Sequence, residues 1–306
     1  MNGLSWMAQY VHILGVLLPV FVCAGIGASW AVRKMSYPNE FISVLVTSVT
    51  TPALVFHTIL TTDLHDTMLL QILVATCAAI AIMACVSAVL LYALRLPVAS
   101  LLPTATFPNG GNLGLPISYF AFGEIGLAVA VSVFAIFSLT QHTLGVGLLS
   151  WSGRAQGSVK RRWPLGMALS CGAAVILRML NIGLPTPVLA SAQLVGSITV
   201  PLMLISLGYA LATVSRSSLG TGSLVGGIRL LAGLIGALVV IHWLDLPTAV
   251  ASAIALQLLM PVAVVSYLYS ERFTNVGAVS AGAVLVSTGI FFVLSPVLIA
   301  WMSGRA

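Results

Sequence analysis

The sequence predicts an all-α integral membrane protein of ten transmembrane helices arranged as two inverted five-helix repeats. Three observations carry that prediction. First, 59% of the 306 residues are hydrophobic and only 6% charged, against roughly a quarter charged in soluble domains, which leaves little material for a water-exposed domain. Second, apolar runs of about 20 residues recur ten times, each long enough to cross a bilayer. Third, the connections between them alternate in charge. One side receives Arg33 and Lys34, Arg95, Arg154 with Lys160, Arg161 and Arg162, then Arg216 and Arg272; the other receives Asp63, Asp66, Glu124 and Asp245, with Arg305 at the end.

In order, the spans are expected at 9–31, 40–60, 68–94, 98–121 and 125–150, then 163–181, 187–213, 222–244, 248–270 and 275–301. The excess of Lys and Arg marks the cytoplasmic side, so both termini are expected on the non-cytoplasmic side of a bacterial-type cytoplasmic (inner) membrane. The net charge of +6 is accounted for by that rule and calls for no nucleic-acid partner. The first ten residues carry no Lys or Arg, which speaks against a cleaved signal peptide. Cys23, Cys77, Cys85 and Cys171 fall inside spans without close paired spacing, and read as small packing residues rather than disulfides or metal ligands.

The loop 151–162 divides the chain into 1–150 and 163–306. Five spans per half is an odd number, so the second half enters from the opposite face, the mark of an inverted repeat. Two alignments agree with it. Ser48-Val49-Thr50-Thr51-Pro52-Ala53-Leu54-Val55 resembles Ser197-Ile198-Thr199-Val200-Pro201-Leu202-Met203-Leu204 at an offset of 149, and Pro108 pairs with Pro261 at 153.

One stretch contradicts its surroundings. Phe107-Pro108-Asn109-Gly110-Gly111-Asn112-Leu113-Gly114-Leu115-Pro116 lies within span 4, yet proline removes a backbone donor and three glycines resist helix formation. The helix is expected to break there. A break at bilayer depth survives only where protein or a water-filled cavity covers the freed backbone, and half-helix ends of this kind hold the substrate in many carriers. Their N-termini suit a carboxylate, and Asn109 and Asn112 would orient it; the alternative is that these amides only cap the helix ends. Span 9, with Pro261 and no neighbouring glycine, is expected to be less disrupted, with Gln257 one turn earlier beside the same cavity or in packing.

Other candidates are ionisable groups deep in spans. Arg178 and Arg229 would attract an anion if they faced the cavity, or snorkel to the interfaces. His142, beside Gln141, would relay a proton or make an interhelical hydrogen bond. The six acidic residues all fall at loops or span ends, so coupling through a buried carboxylate is not expected. No paired aspartates or His-Glu constellation for an enzyme is present, and a sensor would want an output domain that does not fit; neither class is favoured. No cofactor or metal is expected.

The chain resembles the auxin efflux carrier family, which includes bacterial organic-acid permeases and the plant PIN-type exporters. The resemblance rests on Leu18-Pro19-Val20-Phe21, Thr51-Pro52-Ala53-Leu54-Val55-Phe56, the run from Asn109 to Pro116 with Phe122-Gly123-Glu124-Ile125-Gly126-Leu127, Leu184-Pro185-Thr186-Pro187 through Pro201 to Gly208, and Met260-Pro261-Val262-Ala263. It implies a scaffold of spans 1, 2, 6 and 7 and a transport domain of spans 3–5 and 8–10, with broken helices 4 and 9 crossing at mid-membrane as in sodium/proton antiporters and bile-acid carriers. It implies that Pro108, Asn109, Asn112 and Pro261 flank the substrate; Gly110 and Gly111 from the same stretch, and Gln257 if it lines the cavity, complete the expected substrate-binding set. The expected activity is alternating-access movement of a small organic anion, driven by the membrane potential, with a proton-coupled dicarboxylate symporter as the alternative. Expected partners are that anion, membrane lipid and a second copy of the chain.

Overall fold

The structure is a computed structural model that describes residues 3–152, 165–213, 219–243 and 246–303. Most of the expected cytoplasmic loop, with Arg154, Lys160, Arg161 and Arg162, lies outside the described residues, as do Arg216, Asp245 and Arg305. Among the described residues the chain is helical, with a single isolated antiparallel bridge between Pro108 and Val262. The α-helices are α1 (Gly3–Val32), α2 (Asn39–Leu45), α3 (Thr51–Thr61), α4 (Asp66–Ala93), α5 (Val98–Thr106), α6 (Leu115–Thr140), α7 (Val146–Ser152), α8 (Leu165–Met179), α9 (Thr186–Ser197), α10 (Thr199–Thr213), α11 (Leu219–Trp243), α12 (Thr248–Leu259), α13 (Val264–Phe273) and α14 (Gly277–Ser303).

Five helical stretches among the described residues are long and apolar enough to cross a membrane: Asp66–Ala93, Gly110–Ser152, Thr186–Thr213, Leu219–His242 and Gly277–Met302. The second of these, at 43 residues, is about twice the length a bilayer needs. It folds back on itself at Gly123, whose φ of 64° and ψ of −150° leave the helix inside α6. A Cβ on Gly126 would lie 2.4 Å from the carbonyl oxygen of Ser118, whereas eight residues of straight helix span about 12 Å. Glycine takes this left-handed φ without the steric penalty of a side chain.

Proline shapes two further helices. Pro52 cannot donate to Ser48, and the chain widens into a π-helical turn, Val46–Thr50, between α2 and α3. Pro201 cannot donate to Ser197, and α9 gives way to α10 at Ile198. The spans expected at 40–60 and 187–213 each carry a defect just ahead of the proline.

The helices pack in two groups. In one, α1 runs along α10 and α3 lies on α8 and α9; in the other, α11 lies against α4, α12 and α14, with α5 on α4, α13 on α14 and α12 on α6. The α1–α10 seam is closed by glycine, since a Cβ on Gly27 would fall 1.9 Å from the Ile205 carbonyl and one on Gly208 1.8 Å from that of Ala24. Gly222 and Gly226 also meet backbone, whereas Gly25 and Gly227 face open space. Tyr37 locks the seam by a 2.6 Å hydrogen bond between its hydroxyl and that of Ser206 and by stacking on Tyr209. Leu169, Ile176, Met179, Leu180 and Leu194 on α8, α9 and the turn between them are exposed. So broad an apolar surface is ruinous in water and ordinary in lipid, and the chain is an integral membrane protein.

Candidate functional site

Phe107, next to Pro108, is pushed into extended backbone (φ −87°, ψ 124°), and Met260, next to Pro261, likewise (φ −57°, ψ 147°). Both helices therefore stop, and the two stretches pair with each other. Asn109 N–H donates to the Pro261 carbonyl at 2.7 Å and Ala263 N–H to the Phe107 carbonyl at 3.2 Å. Val262 N–H donates to the hydroxyl of Ser287 on α14 at 3.0 Å. Each freed amide thus finds an acceptor inside the protein, as buried backbone must. The second arm is not the milder one expected: residues 260–263 leave the helix, against 107–109 in the first. Glycine was not needed there, because the pre-proline restriction on Met260 and the pairing of Ala263 keep four residues out of the helix.

Beyond the crossing the first arm restarts as a π-helical turn, Gly110–Gly114, whose opening is marked by the Asn109 carbonyl accepting from Leu113 N–H (3.3 Å) and Gly114 N–H (3.0 Å). First-turn N–H groups have no acceptor within their own helix and carry partial positive charge. Gln257 from α12 lies across this turn. A Cβ on Gly110 or Gly114 would meet its Oε1 at 2.9 or 2.3 Å, so glycine at both positions makes room for the amide. Gln257 donates from Nε2 to the Ser118 hydroxyl at 3.0 Å. Phe134 and Met203 cover the turn at Gly111, which brings it against α10.

Three polar atoms here are buried without a partner: Asn109 Nδ2, Gln257 Oε1 and Thr106 Oγ1. Asn109 is 4% exposed and makes no capping hydrogen bond with its side chain, so the cap alternative does not describe it. Asn112 is half-buried. The arrangement offers one amide donor, one amide acceptor and a helix N-terminus around the crossing; an unmet buried amide of this kind costs about 1–3 kcal/mol, a cost that a ligand would remove.

The remaining candidates are engaged by other partners. Arg178 is not available to an anion: its Nε binds Asp66 Oδ1 at 2.6 Å, and its other nitrogens donate to the carbonyls of Ile59 (2.9 Å), Thr62 (3.0 Å) and Leu64. It clamps α8 to the α3–α4 turn because a guanidinium forks to several acceptors at once. His142 contacts the carbonyl of Ser138 through Nδ1 at 2.7 Å and sets its ring edge-on to Tyr269, while Gln141 donates to the Ser266 hydroxyl at 2.8 Å. Both tie the π-helical turn Gln141–Gly145 to its surroundings, and Gly145 packs this turn against the Phe107 ring. Arg229 is fully buried and donates from Nη2 to the Leu258 carbonyl at 2.7 Å.

Sequence reasoning missed the hydroxyls that support the crossing. Ser118 orients Gln257 and Ser287 holds Val262, while Thr104 joins Ser270 and Ser280 below it. Single Ser and Thr residues within apolar spans were the available signal, since a hydroxyl in lipid wants an interior partner. A separate cavity of about 610 Å³ opens between α3, α6 and α9–α10, lined by His57, Thr61, Asp63, Tyr119, Glu124 and Gln193 among others. Its lining does not include the crossing residues.

Residues 12–158 match the model of a family described as membrane transport protein. No curated protein matches the chain. The matched stretch holds the first arm of the crossing and the Asn109–Pro116 motif, and over these residues the chain is similar to membrane transport proteins of the auxin efflux carrier type.

Proposed function

We propose that the protein is a secondary transporter that moves a small organic anion, a carboxylate, across the cytoplasmic membrane by alternating access. The observation that carries this is the crossing of two interrupted helices around buried amide atoms without partners, Asn109 Nδ2 and Gln257 Oε1. Two helices begin at the crossing, at Gly110 and at Val264, and their N-termini favour negative charge. Asp63, Asp66, Glu124 and Glu271 are all exposed, so none of these carboxylates competes with an anion at the crossing.

In this proposal the chain is two inverted repeats, 1–150 and 163–306, joined by the cytoplasmic loop 151–162, with ten crossings and both termini outside the cytoplasm. The group containing α1, α3, α8, α9 and α10 is the scaffold and the group from α4 to α7 and α11 to α14 the transport domain. Support comes from the packing: helices within each group share their longest contacts, while the crossing touches α10 at Gly111 and Met203. The transport domain slides against that seam as an elevator. An inside-negative potential drives anion exit by about 2.3 kcal/mol per charge per 100 mV, so no coupling ion is required.

The test is reconstitution into liposomes with a panel of labelled mono- and dicarboxylates under separately imposed voltage, pH and sodium gradients. Uptake that follows voltage alone is the expected result. Absence of transport for every acid, or transport that follows only a pH gradient, overturns the potential-driven anion carrier.

A further inference from the structure

The two arms leave the same backbone carbonyl free. In a continuous helix the Ala105 carbonyl would accept from Asn109 N–H, and the Leu258 carbonyl from Val262 N–H. Both amides are used elsewhere, by Pro261 and by Ser287. Ala105 and Leu258 each stand three residues ahead of the crossing proline and differ by the offset of 153 that relates Pro108 to Pro261. Each is met by a side chain from the long helix beside it. On α4 this is the Ser87 hydroxyl, 2.9 Å from the Ala105 carbonyl; on α11 it is the Arg229 guanidinium, 2.7 Å from that of Leu258. Equivalent places thus carry a neutral group in one arm and a cation in the other.

Arg229 is 0% exposed and is the one charged side chain among the buried residues described. Its Nε and Nη1 have no acceptor, and room for it beside Leu258 comes from Gly233, where a Cβ would lie 2.2 Å from the Leu258 carbonyl and 2.7 Å from Nη1. A guanidinium keeps its proton under physiological conditions, and burying one without a carboxylate is costly. What compensates is the negative end of α12. The C-terminal carbonyls of a half-helix carry partial negative charge, and in carriers with broken helices such ends hold the coupling cation.

We propose that Arg229 is a built-in counter-cation, a positioning residue that permanently fills the cation place at the end of α12. The crossing then needs no dissociable sodium ion or proton to stay assembled, and it presents a fixed positive charge that a bound carboxylate offsets. This deepens the function proposed above and rests on the crossing being the substrate site. Arg229 acts through the α12 terminus and does not itself touch the anion.

The test uses the thermal midpoint of the purified full chain at constant ionic strength, in sodium, choline or guanidinium chloride at concentrations far below denaturing ones. Wild-type protein is expected to show the same midpoint in all three. R229A is expected to melt several degrees lower in choline and to recover part of that loss in guanidinium, and to a lesser extent in sodium, because a cation that binds only the folded state raises its stability. R229K, which keeps the charge, is expected to melt identically in sodium and choline. An R229A midpoint indifferent to the cation would overturn the proposal and leave Arg229 a packing residue, as would a wild-type midpoint that rises in sodium. Should R229A yield no folded protein, R229K decides: a sodium-dependent midpoint contradicts the proposal, and its absence supports it. These midpoints read the cation place without any substrate. Failure of the carrier assignment appears instead as wild-type protein that transports none of the acids in the panel.

Discussion

The α1–α10 seam and the crossing of the two interrupted helices are built with the same residue types, proline and glycine, and come out opposite in character. At the seam, Pro201 disturbs its helix at one residue only, and Gly27 and Gly208 let backbone meet backbone with no polar side-chain atom between. At the crossing, Pro108 and Pro261 keep three and four residues out of the helix, and Gly110 and Gly114 admit an amide side chain rather than a neighbouring helix. The difference lies in what stands opposite the defect. Where a helix backbone faces the glycines, the gap closes dry; where a second defect faces them, the freed groups pair and leave Asn109 and Gln257 short of partners. Proline in a span does not make a site. Two prolines facing one another open both backbones and leave polar atoms without partners between them.

Substitutions can break this contrast from either side. The largest effect is expected at the seam. G208V puts a side chain into the Ala24 carbonyl and should cost at least the upper end of the roughly 1–3 kcal/mol typical of overpacking, seen as loss of monodisperse protein, while G25V, which meets open space, leaves the yield unchanged. Next is R178A, which removes donors from three carbonyls and from Asp66. It should lower stability by about 1–3 kcal/mol without altering which acids are transported.

At the crossing the balance reverses. G114A drives a methyl into the Gln257 amide, which can rotate away, so the protein folds while transport falls about tenfold, the equivalent of roughly 1.4 kcal/mol lost at the site. A G114A variant that transports normally would take Gln257 out of the site. The smallest effect is expected from D66A. Asp66 is 67% exposed in its pair with Arg178, and such pairs contribute under about 1 kcal/mol, so both thermal midpoint and transport should stay near wild type.

The sequence exposed the defects more readily than the contacts. Pro108 with Gly110 and Gly111 announces a break because each residue opposes a helix locally, and local propensity is what a sequence displays. The break at Pro261 was underestimated, since its extent depends on Phe107 offering a carbonyl to Ala263, a partner about 150 positions away in the chain. For the same reason Arg178 and Arg229 looked alike as lone cations in apolar spans, and only packing separates them. One forks onto the α3–α4 turn and Asp66; the other ends at Leu258. Gly123 was legible within the motif Phe122-Gly123-Glu124 as the place between spans 4 and 5, though its positive φ was not. The seam glycines Gly27 and Gly208 carried no signal that told them from Gly25, because a glycine in a lipid-facing position and one under a backbone carbonyl read identically.

In the proposed carrier a small carboxylate is held where Asn109 meets the second arm. The direct measurement is a thermal-shift screen of the carboxylate panel on wild-type protein and N109A in parallel. Removing an unpartnered buried amide should leave the unliganded midpoint unchanged or slightly higher. At least one acid should then raise the wild-type midpoint and none that of N109A. Equal stabilisation of both proteins by the same acid would place the anion elsewhere in the molecule and contradict the account.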